Sequence, residues 1–237
     1  MSADGLFPFA DGTWVATEPV RFLGLQLDTT MTVLRLRDND LLLHSPVALT
    51  PSRRMAVEKL GRVAHLYAPN LYHHLWIGEW ASAFPSARLH APAGLARKRQ
   101  DLRLDRRIDN STPEPAFHDV IDELHINGLR LGETALFYRP SRTLIVADLI
   151  HNVGRPEHRW TKVYARTMGF YDRISLSRMI RWTAFSDKIA ARRSIDQLLA
   201  MAFDALIVGH GRPVAEGARP VLAAAYSWLP PADRSEI

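Results

Sequence analysis

What most limits this chain is the point where its residue periodicity changes. Between residues 14 and 44 it reads as short β-rich runs, at 14–17, 22–28, 31–36 and 41–44, the last two separated by the turn-forming "RDND". After Thr50 the pattern becomes strand followed by helix. Thr50 fits an N-cap and Pro51 a first helical position, with Met55, Val57 and Leu60 facing inward and Gly61 past the end. There follow a buried strand "RVAHLYAP", a helix "YHHLWIGEWASAFP" ended by Pro85, a strand "ARLHAP" and a short helix "AGLARKRQ". Strands are expected at 120–126, 134–138 and 142–148. Helices are expected at 175–184 and, with Ser186 as N-cap, at 187–203, before a closing strand "DALIVGHG" and a helix "GARPVLAAAYSWL". The stretch around 152–174 has mixed polarity and weak periodicity, so it is expected to be an irregular insertion or lid.

A meander that passes into alternating strands and helices belongs to the α/β class: a layered sandwich of mixed sheets with helices on the outer faces. The 237 residues are 47% hydrophobic and 23% charged, enough to bury one substantial core, so a single domain over 1–237 is expected. No run approaches the roughly 18 apolar residues of a membrane span, and the N-terminus lacks the basic-then-apolar order of a secretory signal. The expectation is a cytoplasmic protein with no membrane partner.

The chain contains no cysteine. That excludes disulfides, thiolate nucleophiles and Cys-based zinc sites, and leaves His, Asp and Glu as the only metal ligands. The formal charge of +5 is concentrated in arginine, with a cluster in "LARKRQDLRLDRR". Asp101 and Asp105 are interleaved there and no nucleic-acid motif accompanies the run, so it reads as a solvated face and a nucleic-acid partner is not expected.

Ligand sites in layered α/β folds gather just beyond strand ends. The polar residues found there are His44 after "DLLL", His73 and His74 after "HLYAP", His125 near the end of "VIDELHING", Asp148 after "TLIVA" and His210 after "ALIVG". Imidazole and carboxylate together form the usual cysteine-free ligand set for zinc, iron or manganese. Each has a plain structural alternative. Asp148 also fits an N-cap, His73 and His74 a solvated helix start, and His125 a strand histidine, whereas His210 between Gly209 and Gly211 is hardest to explain without a site. His151 and Asn152 follow Asp148 closely enough to line the same pocket. His65, His90, His118 and His158 are taken as structural or surface residues, and Trp76 and Trp80 as core packing.

With these residues in this order the chain resembles the metallo-β-lactamase superfamily, as a divergent branch, along nearly its whole length. "LIVADL" resembles the strand that ends in the metal-bridging Asp and gives Asp148. "LIVGHG" resembles the terminal motif and gives His210, and His125 falls at the intermediate His. The helix-start motif H-x-H-x-D-H is degenerate: with His74 on its last His, His73 stands on the Asp, Leu71 on the second His and Pro69 on the first. "LLLHSP" falls where the superfamily has an Asp-containing turn, which turns His44 and Ser45 toward the pocket.

The resemblance implies a four-layer αββα sandwich of two mixed β-sheets. It also implies one divalent metal, zinc or else iron or manganese, held by His73, His74, Asp148 and His210, with His125 the survivor of a second site. The implied activity is hydrolysis of a small-molecule ester, lactone or amide through metal-bound hydroxide. The alternative is a metal-free pseudoenzyme of the same fold that serves as a binding or scaffold module. Phosphodiester processing is a weaker third option, motivated by the basic balance.

Overall fold

Side-chain alternation along the central strands sorts the apolar residues into three separate cores, and that alone dictates four layers. The computed structural model describes residues 5–109 and 113–232. In chain order its elements are β1 (Leu6–Ala10), β2 (Thr13–Phe22), β3 (Leu25–Arg35), β4 (Asp40–His44), α1 (Pro51–Glu58), β5 (Arg62–Tyr67), α2 (Ile77–Ala83), β6 (Arg88–Ala91), α3 (Ala93–Lys98) and β7 (Arg106–Arg107). They continue with β8 (Ile121–His125), β9 (Thr134–Tyr138), β10 (Thr143–Ile145), α4 (Arg159–Met168), α5 (Arg178–Thr183), α6 (Lys188–Ala200), β11 (Ala205–Ile207) and α7 (Ala218–Ala225).

A seven-stranded sheet has the order β1-β2-β3-β4-β5-β6-β7, and a four-stranded sheet the order β11-β10-β9-β8. Both are mixed. In the larger sheet β1 to β4 are antiparallel neighbours and β4 to β7 parallel ones; in the smaller, β10 and β11 are parallel while β9 is antiparallel to both β8 and β10.

Leu41 and Leu43 face outward with Val57 of α1 and with Ile77 and Trp80 of α2, whereas Leu42 between them faces inward with Leu34, Tyr67, Leu136, Ile145 and Ile207. On the small sheet Leu144, Val146, Leu206 and Val208 pack outward on Ile195 and Leu198 of α6 and Leu222 of α7. The expected αββα sandwich is therefore the fold. Near the open end, the Thr30 N–H donates to Gly209 O (2.9 Å) and ties the two sheets together.

Four local expectations change. The runs expected at 14–17, 22–28 and 31–36 are one long hairpin, β2 and β3, whose turn at Leu23 and Gly24 lies inside the run expected at 22–28. The stretch 152–174 is not irregular throughout. It contains α4, capped at its start by His158, whose side chain accepts from Thr161 N, and closed by Gly169 in the left-handed region. Its fully buried residues are Thr161 and Ala165, while its larger apolar side chains, Trp160, Val163, Tyr164 and Met168, recur at helical spacing on a face left partly exposed. The cap of α6 is Asp187, whose side chain accepts from Ile189 N and Ala190 N, and not Ser186. In α1, Met55 is exposed and the inward position is taken by Arg53, ion-paired to Glu18 at 3.1 Å. No helix among the described residues is long and apolar enough to cross a membrane.

Candidate metal centre

The register of the small sheet places two donors side by side. Thr143 of β10 lies opposite Ala205 of β11 and Ile145 opposite Ile207. The ladder continues past the strands, Val146 N to Ile207 O (3.0 Å) and Gly209 N to Ala147 O (3.1 Å). The offset that sets Thr143 against Ala205 then sets Asp148 against His210, both at carboxyl ends of parallel strands. Gly209 makes this approach possible, because a Cβ there would lie 2.6 Å from Ala147 O and 2.7 Å from His73 Cε1.

The third donor, His73, comes from the loop between β5 and α2. Asn70 shapes that loop: its Oδ1 accepts from Tyr72 N (2.8 Å) and His73 N (2.9 Å), and its Nδ2 donates to Asp148 Oδ2 (2.9 Å) and Glu133 Oε2 (3.0 Å). Backbone bonds from Leu71 N to Leu131 O and from Thr134 N to Pro69 O pin the loop against the small sheet.

His73 Nε2 and His210 Nε2 each lie 3.4 Å from Asp148 Oδ1, and the three ligand atoms are all within 4.8 Å of one another. That is long for a hydrogen bond. It matches the edge of a tetrahedral donor set, about 3.3–3.4 Å when metal–ligand bonds are about 2.0–2.1 Å. The far nitrogens are engaged as a metal site requires: His210 Nδ1 lies 2.8 Å from Asp28 O, and His73 Nδ1 2.8 Å from Ser45 Oγ. A carbonyl only accepts, so His210 Nδ1 carries a proton, and Nε2 is the nitrogen that a metal would take on displacing any proton it shares with Asp148. The donor chemistry thus fits one divalent ion with three protein ligands and an open position. Among the described residues no second group of three such side chains has this spacing.

Electrostatics agree with a place prepared for a cation. Burial pushes the Asp148 carboxyl up, but His73 and His210 outweigh it and hold Asp148 well below the usual carboxylate range. For His210 burial works downward, yet the adjacent Asp148 carboxylate prevails and raises it. Glu133, fully buried, is raised first by burial and then by the Asp148 charge, against hydrogen bonds from Ala147 N, Asn70 Nδ2 and Asp148 N.

Two residues expected as ligands stand outside the donor group. His74 turns its Nδ1 to Arg99 Nη1 (3.3 Å) and lines the neighbouring wall, because consecutive residues of a turn project in different directions. Of the pair, His73 is the one whose ring nitrogen joins Asp148 and His210. His125 ends β8 and pairs its Nδ1 with Thr134 Oγ1 (3.1 Å). With β9 between β8 and β10, strand spacing alone puts it roughly 10 Å from the end of β10. Asp148 caps no helix, since the next one begins at Arg159.

Of the expected pocket residues, Ser45 and His151 line the cavity beside the donors. His44 and Asn152 do not. His44 is buried and stacked on Tyr67 (5.8 Å between ring centroids), with neither ring nitrogen hydrogen-bonded, and burial, aided by the nearby His73, pushes it down to about 3. Asn152 braces the loop instead: its N–H donates to His210 O (3.0 Å) and its Nδ2 to Arg212 O (2.7 Å). Trp80 is core, with its Nε1 donating to Val47 O (2.7 Å), whereas Trp76 lines the cavity.

Ser45, His73 and Asp148 also fall in the order of a nucleophilic triad, with Ser45 at a positive φ of 53°. Pro46 has no N–H, however, and the Ser45 N–H is spent on Tyr67 O (2.8 Å), so the two nearest backbone donors for an oxyanion are missing. This geometry favours Ser45 as a hydrogen-bond partner that holds His73 over Ser45 as a nucleophile. Sequence reasoning missed Asn70 and Glu133. The one signal for Glu133 was a lone acid at the head of the apolar run "TALFY", and Asn70 looked like any turn residue.

Fold and donor set together define a protein of the metallo-β-lactamase fold. Over 94% of its length the chain superposes on a metallo-β-lactamase from Pontibacter korlensis, with a TM-score of 0.64, 11% identity and 97% of that chain covered. It superposes similarly on the metallo-β-lactamase FIM-1 from Pseudomonas aeruginosa in its mono-zinc form (TM-score 0.62, 11% identity, 94% of each chain). A fragment of a putative diflavin flavoprotein from Nostoc sp. gives a TM-score of 0.65 at 13% identity, covering 94% of this chain and 95% of that one. Residues 11–184 match the domain of unknown function DUF4336, and the chain belongs to that family. No curated protein sequence matches significantly.

Proposed function

We propose that the protein is a metal-dependent hydrolase that holds one divalent ion, zinc, through His73, Asp148 and His210 and cleaves a small ester, lactone or amide. The observation that carries this is the donor triangle itself: two Nε2 atoms at 3.4 Å from one carboxylate oxygen, with each ring's Nδ1 already engaged. An ion bound there would supply Lewis-acid polarisation of a carbonyl and acidify a water.

The chain's own residues do the rest. Asn70 clamps Asp148 Oδ2 and leaves Oδ1 to the site. Ser45 and Asp28 fix the two imidazoles. His151, pushed down to about 4 chiefly by burial, stays neutral at pH 7 and lies against His210 at 5.5 Å, where it adds no positive charge beside the donors. The degenerate helix-start motif supports one ion over two, since Pro69 and Leu71 offer no donor side chain at their positions.

Metal analysis of protein prepared without chelators tests the reading. One equivalent is expected, lost in His210→Ala and in Asp148→Asn; unchanged stoichiometry in both ends it. A second reading, a metal-free binding module, draws on one feature: Asp148 is already hydrogen-bonded by Asn70 and charge-paired with His73 and His210. Under that reading added zinc leaves the melting temperature unchanged.

A further inference from the structure

The donors line a cavity of about 660 Å³, large enough for a drug-sized ligand and far larger than an acetyl ester needs. Its walls are apolar and come from five places: Val20 on β2, Leu27 on β3, Trp76 before α2, Trp160 and Tyr164 on α4, and Ile180 on α5. Polar groups gather at the donor end, with Ser45 and His151 beside His73, Asp148 and His210. The lining includes one lysine and no arginine. That lysine, Lys98, is engaged, its Nζ donating to Leu71 O (2.8 Å) and lying 4.6 Å from the Tyr72 ring centre. A ligand recognised by charge would find little here beyond the donors themselves.

The mouth repeats the message. Phe22, Leu23, Leu75 and Trp160 line the cavity and yet are 49%, 76%, 55% and 52% exposed. Leu23 occupies the tip of the β2–β3 hairpin at a φ of 49°, a place usually given to Gly, Asn or Asp. Apolar side chains held open to water around a pocket mark a binding surface for something apolar. The wall is also braced, since Thr161 Oγ1 accepts from Gln26 N (2.8 Å) and fixes α4 to β3.

We infer that the substrate carries a large apolar group, an alkyl or acyl chain on the order of a dozen carbons, seated in this cavity with its carbonyl at the donors. The inference rests on the hydrolytic reading above. Water adds to the carbonyl carbon, the bond to the leaving oxygen or nitrogen breaks, and the products are a carboxylic acid and an alcohol or amine, one of them apolar.

Binding of alkan-2-ones of four, eight and twelve carbons, which carry a carbonyl but cannot be hydrolysed, tests it by calorimetry on zinc-loaded and on chelator-treated protein. Affinity is expected to rise about threefold to fourfold per methylene until the cavity is full, hence about a hundredfold from four to eight carbons. Val20→Trp, which fills the cavity from a strand that tolerates aromatic residues, should weaken the twelve-carbon ketone at least tenfold and the four-carbon one less than twofold. Trp160→Ala, at an exposed position, should weaken the long ketone without altering the fold. Equal affinity at four and twelve carbons overturns the inference.

Comparison of p-nitrophenyl acetate and dodecanoate as substrates separates the two readings. Hydrolysis with no preference for the longer ester, joined to length-independent binding, removes the apolar substrate and leaves the hydrolase. Length-dependent binding without hydrolysis of either ester upholds the apolar ligand and removes ester cleavage from the hydrolytic reading.

Discussion

Asn70 joins three parts of the centre: it sets the backbone of His73, orients Asp148 and hydrogen-bonds Glu133. Asn70→Ala should lower zinc affinity by about 10–100-fold, the usual cost of losing an outer hydrogen bond to a metal ligand, as read by competition with a chromophoric chelator. It should also destabilise the fold by about 1–3 kcal/mol for a buried group left unpaired. Wild-type affinity in this variant would show that Asp148 needs no such clamp. Ser45→Ala separates the two roles open to that hydroxyl. As the group that orients His73, Ser45 can be lost with weakened metal binding and residual turnover, whereas loss of all turnover with metal affinity intact would make it the nucleophile. At this scale the sequence pointed to residues just beyond regular strands, and the fold does bring Asp148 and His210 together, because strand ends are marked by the apolar run before them. The choice between His73 and His74 was not readable, because a loop has no period to tell which of two neighbours turns inward.

Element positions were most legible where a short apolar run is bounded by turn-forming residues. Leu41, Leu42 and Leu43 read as a β-rich run, and their being apolar without a break is what a strand buried on both faces requires. The helix α4 was missed although Trp160, Val163, Tyr164 and Met168 recur at helical spacing, because its cap is a histidine, which is not among the usual N-cap residues. The same strand logic makes Gly209 critical. Gly209→Ala sets a methyl against the Ala147 carbonyl and the His73 ring, a strain of about 1–3 kcal/mol that moves β11 away from β10 and with it His210 from Asp148. Reduced zinc stoichiometry together with a lower unfolding midpoint is expected; a variant that binds zinc as the wild type does would refute the close packing. At α6, Asp187→Ala should cost about 1 kcal/mol, a fall in melting temperature of roughly 2–4 °C for a chain of this size.

The molecule as a whole should be acid-sensitive for reasons unrelated to the metal. Between the sheets His65 Nδ1 meets His90 Nε2 at 2.9 Å. Burial, with the charge of Arg88 added, pushes His65 down to about 4, and burial with the neighbouring His65 pushes His90 to about 2. Both folded values lie below the ordinary value of about 6.5 that applies in the unfolded chain. The unfolded state therefore takes up more protons as pH falls, and the stability is fully present above about 6.5 and lost as pH drops toward 4 and below. A urea midpoint clearly lower at pH 5 than at pH 7.5 is expected, and a flat profile would mean that the pair is more solvated than its packing implies. Zinc should act in the opposite direction: at about a hundred times its dissociation constant it adds about 2.7 kcal/mol, roughly 5–10 °C in melting temperature.

One donor hangs from the seven-stranded sheet and two from the four-stranded sheet, so an ion captured among them would rivet the halves of the sandwich across their seam. The Thr30 amide, bonded to Gly209 O over that same seam, is a built-in reporter. Its hydrogen exchange should slow when zinc is added and quicken when a chelator removes it, while amides deep in β5 hold their rates.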